Sequence, residues 1–130
     1  MYRGAQPGSA GIADLKQLGV VTILDLRGGS TMEREKRAAE ALGIRFVSFP
    51  LSGLRAPRDQ EIAVVMKILE TVPKPVFVHC RKGADRTGTV IACWRICHDG
   101  WSNTRALNEA ERYHMNLFAH GMKVYIKRYK

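Results

Sequence analysis

Val76-Phe77-Val78-His79-Cys80-Arg81-Lys82-Gly83-Ala84-Asp85-Arg86-Thr87-Gly88 is the stretch from which the rest of the chain can be read. Three consecutive apolar residues predict a central strand buried on both faces. Residues 87–98 carry Val90, Ile91 and Trp94 and predict a largely buried helix. Strand, loop and helix in that order place the loop at the carboxyl edge of a parallel sheet, the crevice where open α/β sheets bind ligands. The helix turns its amino terminus toward that crevice, where unpaired N–H groups and the dipole favour an anion. Gly83 permits a tight turn and Gly88 a close helix start. The loop residues Arg81, Lys82, Gly83, Ala84, Asp85 and Arg86 are then expected to cradle phosphate oxygens.

The same loop carries a nucleophile. A free cysteine titrates near ~8.5, and a helix amino terminus with nearby cations lowers that value. Cys80 is therefore expected as a thiolate that attacks phosphorus. Arg86 is expected to grip two equatorial oxygens with its planar fork, a task lysine cannot perform. Thr87 is expected to donate its hydroxyl to the Cys80 sulfur and help the thiolate leave. His79 is expected to order the loop through hydrogen bonds.

Working outward, helix-like and strand-like segments alternate, which predicts an α/β fold: a central, mostly parallel sheet of four to five strands flanked by helices. Ser9 is expected to cap a short helix with Ile12 and Leu15 inward and Gly19 past its end. Val20-Val21-Thr22-Ile23-Leu24 predicts a buried strand, and Asp25-Leu26-Arg27-Gly28-Gly29 a turn. Residues 31–42 predict a helix with Ala38, Ala39 and Leu42. Ile44 to Phe49 alternates with period two and predicts a strand with one drier face. Ile62, Val65, Met66 and Leu69 mark an amphipathic helix over 58–71, stopped by Pro73 and Pro75. Residues 102–114 and 117–129 predict two further helices, the last with Phe118, Met122, Tyr125, Ile126 and Tyr129 on one stripe.

With 130 residues the chain is expected to form one domain, residues 1–130. A net charge of +9 points to a partner or substrate rich in negative charge. The basic cluster Lys123, Lys127, Arg128 and Lys130 is expected to be a solvated helix face. Trp94, Trp101 and the tyrosines show no interleaving with a basic patch and are assigned to the core, so nucleic acid is not an expected partner. Three cysteines without a Cys-x-x-Cys spacing imply neither a disulfide scaffold nor a zinc site. Cys93 and Cys97 are expected as small core residues, and a free thiol at Cys80 suits a reducing, cytoplasmic setting. No apolar run approaches the ~20 residues of a membrane span, and no signal peptide is visible; a targeting segment ahead of Met1 stays open. Oligomeric state is not legible.

His-Cys, five residues, then Arg-Thr-Gly resembles the signature of the cysteine-dependent protein tyrosine phosphatase superfamily, and the compact size resembles its dual-specificity branch. The opening Tyr2-Arg3-Gly4-Ala5-Gln6-Pro7, with Leu18-Gly19-Val20 and Leu24-Asp25-Leu26-Arg27, is similar to the atypical bacterial and plant-fungal members. The resemblance implies a central sheet flanked by helices, a phosphocysteine intermediate, and neither metal nor other cofactor. It also implies an aspartate general acid on a loop ahead of the catalytic strand. Here that loop is Pro50 to Asp59, and its early position holds Ser52-Gly53. Two acids are left as candidates. Asp59 also reads as a helix-favouring acid. Asp85 also reads as a brace for the loop, although Cys-x-x-Gly-x-Asp-Arg-Thr is similar to the loops of myotubularin-like and bacterial lipid-acting phosphatases, in which such an aspartate is assigned the acid role. Asp25 and Arg27, at the end of the first core strand, are expected to buttress the site or to touch substrate.

The expected activity is hydrolysis of phosphomonoesters, on phosphotyrosine proteins and by extension phosphoserine or phosphothreonine. Arg81 and Lys82, with Arg55 and Arg58 nearby, supply more positive charge than one phosphate needs, so phosphoinositides, inositol phosphates or pyrophosphates are the alternative substrates. A module that binds phosphorylated partners without turnover is the third reading.

Overall fold

Tyr2–Gly4 (β1), Thr22–Asp25 (β2), Arg45–Ser48 (β3) and Val76–His79 (β4) line up in the order β1-β4-β2-β3, and every pairing is parallel. The computed structural model describes residues 1–29, 32–116 and 119–130. Within them the strands alternate with Ser9–Gln17 (α1), Met32–Ala41 (α2), Asp59–Thr71 (α3), Asp85–Cys97 (α4), Asn103–Arg112 (α5) and His120–Arg128 (α6). The α/β expectation holds, with four strands. No helix among the described residues is long and apolar enough to cross a membrane.

Parallel pairing forces each connection to cross a sheet face, so both faces are covered by helices. The sequence reflects this. All four residues of β2 and of β4 are buried, and Ile23 sits opposite Phe77 while Leu24 sits opposite Val78. One face packs Ile23, Ile44 and Phe77 against Ile12 and Leu15 of α1 and Ala39 of α2. The other packs Leu24 and Val78 against Ile62, Val65 and Leu69 of α3, Val90 and Cys93 of α4 and Tyr125 of α6. A third cluster joins Ala92 to Ala106 and Ala110 of α5 and Ile126 of α6. Small residues there let α4 and α5 approach closely. A Cβ added at Gly88 would lie 3.5 Å from the Ala110 side chain and 3.1 Å from that of Met115.

Several local expectations are corrected. Gly8, not Ser9, is the N-cap of α1, with no side-chain cap; Ser9 is already helical. Asp25 closes β2 rather than opening the turn. In β3, Phe46 and Val47 are both half-buried and point to opposite covered faces, so there is no single drier side. The helix after the loop starts at Asp85, two residues early, which puts Asp85 and Arg86 in its first turn. Cys93 is buried, but Cys97 is exposed. Tyr2 and Tyr113 are exposed, while Trp94 and Trp101 are half-buried, Trp101 lying between the guanidinium groups of Arg95 and Arg105. Met122, Tyr125 and Ile126 form the buried stripe of α6. Thr31 and Phe118 lie outside the described residues.

Candidate active site

β4 delivers Cys80 to the carboxyl edge of the sheet, and α4 begins five residues later with its amino terminus facing back. Between them the chain must reverse in very little space. Gly83 makes this possible at φ +74°, and a Cβ there would stand 2.3 Å from the backbone carbon of Gly4. The end of β1 therefore forms the back wall of the loop. Two hydrogen bonds tie the pieces together: Gln6 N–H donates to the Arg81 carbonyl at 3.1 Å, and an Arg3 guanidinium nitrogen donates to the Gly83 carbonyl at 3.1 Å.

Cys80 is 3% exposed. Burial pushes its thiol upward, and this is outweighed by hydrogen bonds from the Thr87 hydroxyl, the Thr87 amide and the Gly83 amide and by the charge of Arg86; the net acidity is greater than that of an ordinary cysteine. The Thr87 hydroxyl is itself buried beside Cys80 and makes no hydrogen bond of standard geometry, so it is free to turn to the sulfur. Cys93, by contrast, is pushed far upward by burial and is inert as a nucleophile.

A cavity of about 410 Å³ opens at Cys80. The loop residues Arg81, Lys82, Ala84, Asp85 and Arg86 line it, together with Gly53 and Leu54 ahead of α3 and His114 and Asn116 after α5. Arg81 and Lys82 are exposed. Arg86 donates to the Leu51 carbonyl at 3.4 Å, and its guanidinium lies within 3.6 Å of where a Gly53 Cβ would stand. The loop ahead of α3 thus reaches the site, but through Leu51, Gly53 and Leu54, none of which carries a carboxylate.

The two candidate acids are placed differently. Asp59 lies outside the cavity lining, and its Oδ1 accepts from the Tyr125 hydroxyl at 2.8 Å. Asp85 lies in the lining, and its Oδ1 accepts from the Asn116 amide at 2.8 Å.

Beneath the loop is a buried ionic cluster. His79 lies between two acceptors: Nε2 is 2.6 Å from Glu35 Oε2, and Nδ1 is 3.1 Å from the Cys80 carbonyl oxygen. Arg27 bridges the second oxygen of Glu35 at 3.3 Å and Asp25 at 3.4 Å. These four side chains form one hydrogen-bonded cluster that is at most 9% exposed. Asp25, Glu35 and His79 are close enough together to hold a metal ion, but the guanidinium of Arg27 already supplies positive charge to both carboxylates. Asp25 and Arg27 thus join Glu35 in one cluster, and the His79 ring links that cluster to the Cys80 carbonyl.

The sequence reading missed Glu35, His114 and Asn116. Glu35 had a signal: it stands four residues before the buried Ala39 on α2, and an acid on the dry stripe of a helix needs a buried partner. His114 and Asn116 had none, since only the three-dimensional path of the turn after α5 brings them to the loop.

Residues 1–126 match the family described as DSP-PTPase phosphatase fused to NAD+ kinase. The chain belongs to this DSP-PTPase family. It is 33% identical over 115 residues to the dual specificity protein phosphatase TpbA of Pseudomonas aeruginosa, a match covering 86% of this chain and 50% of that protein. It is 26% identical over 118 residues to the inositol diphosphatase DSP1 of Oryza sativa, covering 87% of this chain and 53% of that one. The chain spans about half the length of these curated relatives. The crystal structure of P. aeruginosa TpbA superposes with a TM-score of 0.85 at 25% identity, over 98% of this chain and 79% of that one.

Proposed function

We propose that this domain of the DSP-PTPase family hydrolyses phosphomonoesters through a phosphocysteine. The observation that carries the reading is Cys80: a buried thiol made acidic by Thr87, Gly83 and Arg86 at the floor of an open basic cavity. The sulfur attacks phosphorus as the bond to the leaving oxygen breaks. Arg86 and the amides of residues 81–86 hold the equatorial oxygens, where charge develops. The leaving oxygen takes up a proton. Water then displaces the sulfur, and Thr87 stabilises the departing thiolate. Asp59, turned toward Tyr125, stands outside this sequence of steps.

Phosphorylated protein, with phosphotyrosine first, is the proposed substrate, supported by the similarity to TpbA. One feature favours a second reading. Arg81 and Lys82 add two exposed cations to the floor beside Arg86, and no tyrosine or tryptophan lines the cavity among the described residues. An inositol phosphate or pyrophosphate would use that charge, in keeping with the similarity to DSP1.

The test is phosphate release, as kcat/KM, from a phosphotyrosine peptide, a phosphothreonine peptide, a phosphoinositide and an inositol pyrophosphate assayed together, with Cys80→Ser alongside. Preference for the peptides upholds the first substrate. Preference for inositol compounds, lost in Arg81→Ala and Lys82→Ala, replaces it with the second. Turnover by Cys80→Ser within tenfold of wild type overturns the covalent mechanism.

A further inference from the structure

We infer that His114 is the proton donor to the leaving group, and the acceptor from the attacking water in the second step; this rests on the phosphocysteine reading above. The chemistry demands such a group, and the loop that reaches the site beside Arg86 offers none. Among the cavity-lining groups, Cys80 is the nucleophile and Arg81, Lys82 and Arg86 are cations, which leaves Asp85 and His114.

The backbone singles out His114. Helix α5 ends in a Schellman arrangement: His114 N–H donates to the Glu111 carbonyl at 3.1 Å and Met115 N–H to the Ala110 carbonyl at 3.3 Å. The residue directly after the cap Tyr113 is left-handed, the place glycine ordinarily takes. His114 occupies it at φ +71°, the sole non-glycine residue with positive φ among those described. A side chain there costs about 1–2 kcal/mol. It persists because every neighbour is anchored. Arg3 stacks on Tyr113 at 4.2 Å, Met115 is 5% exposed in the core, and Asn116 is held by Asp85. Two residues of this turn are exposed and line the cavity, His114 and Asn116, and of the two only His114 carries a group that can give and take a proton. Strain concentrated on one residue that faces a reactive cysteine is the pattern of a functional constraint.

Asp85 has a different task. Its carboxylate is engaged by the Asn116 amide, so it pins the turn that carries His114 to the loop that carries Cys80. It acts as a positioning residue. In the first step the S–P bond forms, the P–O bond breaks, and the leaving oxygen takes a proton from the imidazolium of His114. In the second, water adds to phosphorus, its proton passes to the neutral imidazole, and the S–P bond breaks to restore the thiolate.

Removing a general acid slows poor leaving groups far more than good ones. The experiment measures kcat/KM for an aryl phosphate with a strongly acidic phenol and for an alkyl monophosphate, in wild type, His114→Asn, His114→Gly, Asp85→Asn and Cys80→Ser. Asparagine and glycine both tolerate the left-handed position, so the turn survives; asparagine at position 85 can still accept from the Asn116 amide. The alkyl-to-aryl ratio is expected to fall about 100-fold or more in both His114 variants and to move less than threefold in Asp85→Asn. A ratio unchanged in the His114 variants overturns the inference, as does a fall confined to Asp85→Asn, or wild-type protein that turns over only the aryl substrate. Aryl turnover surviving in Cys80→Ser defeats the phosphocysteine reading instead, whatever His114 does.

Discussion

Removing the Glu35 carboxylate is the most searching perturbation of the frame beneath the loop. Glu35→Ala deletes both of its contacts, the 2.6 Å bond to His79 and the 3.3 Å bridge to Arg27. With Glu35 5% and His79 0% exposed, water cannot replace what is lost. Breaking a buried ion pair by removing one partner costs about 3–5 kcal/mol, at least about a fifth of the 5–15 kcal/mol that holds a typical domain together. For a chain of this length that corresponds to a fall of about 10–20 °C in Tm. Glu35→Gln keeps an acceptor for His79 and loses only the charge, so it should lie between. Urea denaturation of Glu35→Ala, His79→Ala and the double variant isolates the pair, and the coupling should reach about 1–3 kcal/mol. Coupling below about 0.5 kcal/mol, the noise of additivity, or a Glu35→Ala loss under about 1 kcal/mol, far below the range for a broken buried pair, would refute the claim that the cluster supports the loop.

Three other outcomes follow from the site. Thr87→Ala removes the hydroxyl that helps hold the Cys80 thiol below its ordinary range; because the thiolate is the active form, the acid limb of the kcat/KM–pH profile should move to higher pH, and a limb that stays put argues that the sulfur is set by other groups. By the same sign, ionised Cys80 stabilises the fold above its unfolded titration range, and that contribution is lost as pH falls through the folded one. Gly83→Ala drives a methyl into the Gly4 backbone at a left-handed position; thermal melting should show a loss of at least about 1–2 kcal/mol, the left-handed penalty alone, together with collapse of phosphate release. Asp59→Asn keeps an acceptor for the Tyr125 hydroxyl, whose titration is pushed up first by burial and then by Asp59, and loses only the charge; stability measured in urea should fall by about 1 kcal/mol, the difference between a charged and a neutral acceptor, while the alkyl-to-aryl ratio stays constant.

The strands β2 and β4 and the helix α3 were legible because burial on both faces, or on one helical stripe, leaves its period in the sequence. The loop was legible because its chemistry needs fixed spacing. β1 was not: Tyr2-Arg3-Gly4 has no apolar run, and its strand character comes from pairing with Val78 and its neighbours. Among the proposed site residues, the spacing motif led to Cys80, Arg86 and Thr87, yet the acids it offered divided only in three dimensions. Asp59 turned to α6 and Asp85 to the turn after α5, a partition that depends on where distant elements dock. His114 sits 34 positions beyond Cys80 on a helix end where glycine was the default expectation, and no local pattern signals such a substitution.

Because Gly4 presses on Gly83 and Arg3 and Gln6 hold the carbonyls of Gly83 and Arg81, the residues ahead of Pro7 are a handle on reactivity. A protease cut between Arg3 and Gln6 is expected to release these contacts and lower turnover, which phosphate release before and after the cut checks. Expression work on this domain should therefore carry its purification handles at the carboxyl end. A preparation trimmed by even a few amino-terminal residues should be judged by its turnover before its solubility is taken as proof of integrity.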